Sequence, residues 1–129
     1  MVLATVATVL LGRGDGSIAL GRTTDYPPGE VVYHSTERLF VVHPVDGPVI
    51  VLSDLDPHNP PRRSSCRVTF RPDLGPADAP GRFFDACTGS VYDITGRGLA
   101  DDGLDLRRVP VREDEDGRLR VARDDVAKR

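Results

Sequence analysis

Glycine and proline set the limit on what this chain can fold into. There are 13 glycines and 11 prolines in 129 residues, and they are spread so evenly that no helix-length amphipathic stretch and no internal repeat is left between them. What survives is a series of short β-branched segments, at residues 5–11, 18–20, 31–33, 38–42, 49–52, 66–70, 92–95, 107–112 and 118–123. Short apolar runs bounded by turn residues specify strands in a meander. Pro27-Pro28-Gly29 lies within a connection, residues 23–29, that cannot be helical, and Pro44-Val45-Asp46-Gly47-Pro48 joins two of the strands. Asp116-Gly117 carries the strongest hairpin signal. The expected architecture is an all-β fold of antiparallel strands, a sandwich or barrel. Its base sheet region is built from residues before 52 and after 107, and a smaller loop subdomain is inserted at about 54–105.

At this length the chain is a single domain over 1–129. Its net charge is −3 with both signs interspersed, and there is no tryptophan, so the electrostatic footprint of a nucleic-acid partner is missing. Basic residues are nearly all Arg, with Lys128 the only Lys. Residues 2–11 form an apolar run far short of the roughly 20 residues that span a bilayer, and no basic region precedes them. They are read as a strand, with residues 1–16 as an N-terminal strand and turn and no membrane-spanning segment. A soluble, cytoplasmic location is favoured, where two cysteines would normally be reduced thiols. Arg13-Gly14-Asp15 is read as part of a hairpin turn rather than as an adhesion motif. The charged tail, 124–129, is either a frayed end or a short helix.

Two stretches carry the functional signal. The first is Asp56-Pro57-His58, followed by Cys66; the second runs Asp85-Ala86-Cys87-Thr88-Gly89-Ser90-Val91-Tyr92-Asp93-Ile94-Thr95-Gly96. Together they resemble the paired cluster-binding motifs of Rieske iron-sulfur proteins, with the frame kept and most of the ligands replaced. A Rieske [2Fe-2S] centre takes two thiolates on one iron and two imidazoles on the other. The resemblance puts Asp56, His58, Asp85 and Thr88 at the four ligand positions, which offer one imidazole and no thiolate. It puts Cys66 and Cys87 where high-potential members carry a disulfide between the cluster loops. Ser90 and Tyr92 match residues that donate hydrogen bonds to cluster sulfur; here their hydroxyls need another acceptor, for which the carboxylate of Asp85 is the obvious candidate. The resemblance spans about residues 17–121. It departs from the family in the seven residues between His58 and Cys66, in the long segment 71–81, and in Ala100-Asp101-Asp102-Gly103-Leu104, which replaces a Pro-rich third loop.

This resemblance implies a Rieske-like domain without a cofactor, acting as an accessory or docking subunit with a protein partner in a redox complex and not as a catalyst by itself. The superfamily has such a precedent in the small subunit of assimilatory nitrite reductases. Two alternatives remain open. One is a working [2Fe-2S] electron carrier with unconventional ligands, and the other is a mononuclear metal protein using Asp56, His58 and Asp85, with Asp54 nearby. A nucleophilic site would need a base beside Ser90 or Thr88, and His58 is the one candidate. His34 and His43 fall in or at the ends of strands and are read as structural or surface side chains rather than ligands. Asp101-Asp102 and residues 113–116 lack the spacing of a calcium loop and are read as solvated turns.

Overall fold

A computed structural model of the protein describes residues 16–59 and 66–127. The expected strand at 5–11, the Arg13-Gly14-Asp15 turn and part of the loop ahead of Cys66 lie outside the described residues. The chain runs β1 (Ser17–Arg22), a 3-10 turn (Thr23–Asp25), β2 (Val31–His34), β3 (Leu39–Val42), β4 (Ile50–Ser53), β5 (Thr69–Arg71) and β6 (Arg82–Asp85). It continues through β7 (Ser90–Tyr92), β8 (Arg108–Val109), β9 (Val111–Glu113), β10 (Arg118–Ala122) and the short helix α1 (Arg123–Ala127). Among the described residues every strand pairing is antiparallel. The fold is all-β apart from α1, as the glycine and proline spacing requires.

The strands form three sheets, ordered β1-β10-β9, β2-β3-β4-β8 and β5-β6-β7. All residues of β3 and β4 are buried, which is why Leu39-Phe40-Val41-Val42 and Ile50-Val51-Leu52 read as unbroken apolar runs instead of alternating with polar residues. Leu39, Val41 and Val51 face one way and pack with Leu20, Leu119 and Val121 of the first sheet. Phe40, Val42, Ile50 and Leu52 face the other way and pack with Val68, Phe83, Tyr92 and Leu106 of the inserted region. The middle sheet therefore serves two cores. The insertion leaves it after β4 and returns at β8, where Val51 opposes Val109 and Leu52 opposes Arg108.

Several boundaries differ from the sequence reading. Residues 107–112 are not one strand: Pro110 cannot donate to a ladder, so the segment breaks into β8 on the middle sheet and β9 on the first. Residues 92–95 do not extend as a strand beyond Tyr92, because the Asp93 carboxylate accepts from the backbone amides of Thr95 and Arg97 and closes a turn. The strand expected over 66–70 narrows to β5, which begins at Thr69. The connection over 23–29 does hold a single 3-10 turn ahead of its prolines. It is pinned by Tyr26, whose hydroxyl bonds the Leu20 carbonyl and His34, while its own carbonyl contacts His43 Nδ1. That accounts for both strand histidines as structural residues.

Candidate functional site

Two loops of the inserted region meet at its outer end. Residues 54–59 follow β4, and residues 85–90 connect β6 to β7. The disulfide Cys66–Cys87, with Cα atoms 5.9 Å apart, ties the second loop to the chain returning from the first. Each loop is shaped by an aspartate that folds back on its own backbone. The Asp56 carboxylate accepts from the His58 amide at 3.0 Å, and the Asp85 carboxylate accepts from the Cys87 amide at 2.8 Å, the local bond that makes Asp a turn former. Gly89 supplies the positive φ, 75°, that closes the second loop, with its N–H on the Asp85 carbonyl.

Asp56 is fully buried and is the centre of the arrangement. One carboxylate oxygen takes hydrogen bonds from the Tyr92 hydroxyl and from His58 Nδ1, the latter at 2.7 Å. Its other oxygen takes one from the Thr88 hydroxyl. Burial pushes this carboxyl up, but the bonds from Thr88, Tyr92 and His58 outweigh it and hold Asp56 well below the usual carboxylate range. Burial and the adjacent Asp56 charge push the Tyr92 phenol far up, so it stays a donor. His58 carries a second carboxylate on its far nitrogen, Asp102, at 2.7 Å from Nε2. Bonding to Asp102 and then to Asp56 raises the His58 pKa, and the same contact with His58 lowers that of Asp102. The His58 ring, held between two carboxylates from different loops, thus clasps the third loop to the other two.

The four positions singled out in the sequence do converge. Asp56, His58 and Thr88 share one network, and Asp85 joins the same pair of loops through Asn59, whose amide donates to it. Two expectations need correction. Tyr92 and Ser90 do not use Asp85: Tyr92 donates to Asp56, and Ser90 contacts the Thr88 hydroxyl at 2.7 Å and His58 Nδ1 at 3.2 Å. Asp102, read as a solvated turn, is the second partner of His58. Nothing local to 100–104 announces this, since the contact joins residues 44 positions apart. Asp54 turns away to the Tyr33 hydroxyl and Arg38. Asp85 is on Asn59 and Cys87, so neither aspartate joins Asp56 on His58. Among the described residues no three His, Cys, Asp or Glu side chains are placed to hold a metal ion.

Ser90, His58 and Asp102 also stand in nucleophile, base and acid order. The chemistry stops there, because the ring nitrogen that faces Ser90 at 3.2 Å is the one already engaged by the Asp56 carboxylate at 2.7 Å.

No protein-family model matches the chain, and no curated protein matches it. Solved structures do. One described as the small subunit of an NADPH nitrite reductase is 18% identical with a TM-score of 0.44, covering 81% of this chain and 96% of its own. The ferredoxin of carbazole 1,9a-dioxygenase from Nocardioides aromaticivorans is 19% identical with a TM-score of 0.47, covering 82% and 96%. One described as the small subunit of an NADH-dependent nitrite reductase from Mycobacterium tuberculosis is 17% identical with a TM-score of 0.45, covering 81% and 92%. Likeness at this level carries no inference about activity, and the functional reading rests on the loop pair itself. Among the described residues no helix is long and apolar enough to cross a membrane.

Proposed function

We propose that the chain is a cluster-free Rieske-like domain serving as an accessory or docking subunit of a redox system, and not a catalyst in its own right. The observation that carries this reading is the state of the four ligand positions. His58 and Thr88 are both bonded to Asp56, and Asp85 is bonded to Asn59 and Cys87. A Rieske centre requires two thiolates, and both cysteines of the chain are joined in the disulfide. His58 has both ring nitrogens on carboxylates, which leaves neither nitrogen open to iron. The donor set on the loops therefore does not fit the cluster, while the loops themselves keep their pairing and their staple.

The test is iron and acid-labile sulfide content, measured on protein purified without oxygen and again after reconstitution. The expected result is a colourless protein with substoichiometric iron and sulfide. A Rieske-type electron paramagnetic resonance signal would overturn the reading in favour of a [2Fe-2S] carrier with unconventional ligands. The accessory role is tested separately by tagging the chain in its own host. Co-purification of a flavin, haem or nicotinamide oxidoreductase is expected, and a chain that elutes alone counts against it.

A further inference from the structure

The first sheet turns Leu119 and Val121 inward, where both are buried, so alternate residues of β10 face outward. Those are Arg118, Arg120 and Ala122. The register places Arg112 of β9 directly opposite Arg120, and Ala19 of β1 on its other side. Arg22 lies opposite Arg118 and Ser17 opposite Ala122. The outward face of this sheet is therefore four arginines set among Ser and Ala, on a chain whose net charge is −3. Like charges directly opposed across a ladder destabilise a sheet, and the fold offsets part of that cost: Arg120 is held by Asp114 and Ser17, and Arg22 donates to the Asp116 carbonyl at 2.5 Å, while Arg118 and Arg112 stand exposed beside them. Two carboxylates flank the patch: Asp114 bonds Arg120 Nε at 2.9 Å, and Asp125 borders the same hollow as Arg112 and Arg120.

We propose that this face is a docking surface for an acidic protein surface. It deepens the accessory-subunit reading and rests on it, giving the chemistry of the partner. Guanidinium groups pair carboxylates through two parallel hydrogen bonds, and the small Ser17, Ala19 and Ala122 leave the face flat enough for another surface to approach the exposed Arg22, Arg112 and Arg118. A nucleic acid suits it poorly, because the face carries no aromatic side chain on which a base could stack. A lipid surface suits it poorly too, since the face presents no large apolar side chain to insert.

The proposal is tested with the intact chain, isotopically labelled, titrated at low ionic strength with a polyglutamate decapeptide. Parallel titrations use a duplex oligonucleotide and phosphatidylserine vesicles at equal total charge. The expected result is amide shifts confined to β1, β9 and β10, loss of binding as salt rises, and at least a tenfold loss in Arg112→Glu/Arg118→Glu. Arg71→Glu, which reverses an arginine paired with Asp73 on another sheet, should bind as the parent does. Equal loss in Arg71→Glu, shifts centred elsewhere, no binding, or tighter binding to the oligonucleotide or vesicles would overturn it. Iron and sulfide content is not read in this titration, so its failure is distinguishable from failure of the cluster-free reading.

Discussion

Replacing Asp56 with alanine should cost about 2–4 kcal/mol of stability and leave the disulfide intact. The figure follows from what the carboxylate satisfies. Its removal strips the acceptor from the Tyr92 hydroxyl, fully buried beneath the loops, and from the His58 amide and Nδ1–H. A buried donor left unmatched costs roughly 1–3 kcal/mol. Three such donors would give up to about 9 kcal/mol by that rule, but His58 can shed its Nδ1 proton and accept from Tyr92, which lies 3.1 Å away, so the low end of the range is expected. Thr88 is exposed and retains Ser90 and water, so it adds little. The measurement is urea unfolding without reductant, followed by tyrosine emission, since the chain has three Tyr and no Trp. Proton resonances of His58 give a second readout, because a ring that has lost one of its two carboxylates titrates at lower pH. A loss below about 1 kcal/mol, or an unmoved His58 titration, would refute Asp56 as the centre of the network.

Three further outcomes follow from the same geometry. Replacing both Cys66 and Cys87 with serine opens a link between residues 21 positions apart, which the chain-entropy model values at about 3 kcal/mol; a denaturation midpoint equal to that of the oxidised parent would contradict it. Stability should be greatest between pH 3.8 and 6.5, the ordinary values for Asp and His. Asp56 has a lowered folded pKa, so its contribution is complete above its unfolded value and is lost as pH falls; His58 has a raised one, so its contribution is complete below its unfolded value and fades as pH rises. His58→Gln should then flatten the alkaline side of a midpoint-versus-pH curve, and an unchanged alkaline side argues against the clasp. Gly98→Ala would set a β-carbon 2.2 Å from the Leu104 carbonyl oxygen, which is backbone and cannot swing aside. A loss of about 1–3 kcal/mol is expected, and a neutral result in the same unfolding assay would mean that the third loop moves freely.

The strands of the middle sheet were legible because β3 and β4 are apolar on both faces and bounded by Pro44, Gly47 and Pro48. Asp116-Gly117 announced its hairpin for a similarly local reason. Harder to see was that Pro110 moves the chain from one sheet to another, since residues 107–112 alternate acceptably as one strand and only the ladder shows where the missing N–H falls. At the site, residue types and spacing brought out Asp56, His58, Asp85, Thr88 and the cysteine pair. The spatial partners were not legible: Tyr92 reaches Asp56, 36 positions away, and His58 reaches Asp102, 44 away. Such contacts are set by how three loops pack and leave no periodic trace in the chain. The arginine face escaped for a related reason, because Arg22, Arg112, Arg118 and Arg120 become neighbours only once β1 and β9 flank β10.

A sheet that serves two cores also decides how the molecule can come apart. Freed of the inserted region, β3 and β4 would expose Phe40, Val42, Ile50 and Leu52; freed of the first sheet, they would expose Leu39, Val41 and Val51. Each departure uncovers several large apolar side chains at roughly 1.5–3 kcal/mol apiece, so neither outer layer can peel away as an independent thermal unit. Amides at the centre of β3 and β4 then exchange with solvent only through opening of the whole molecule, and the loop pair, although it hangs at the far end of the insertion, melts with the base that carries it.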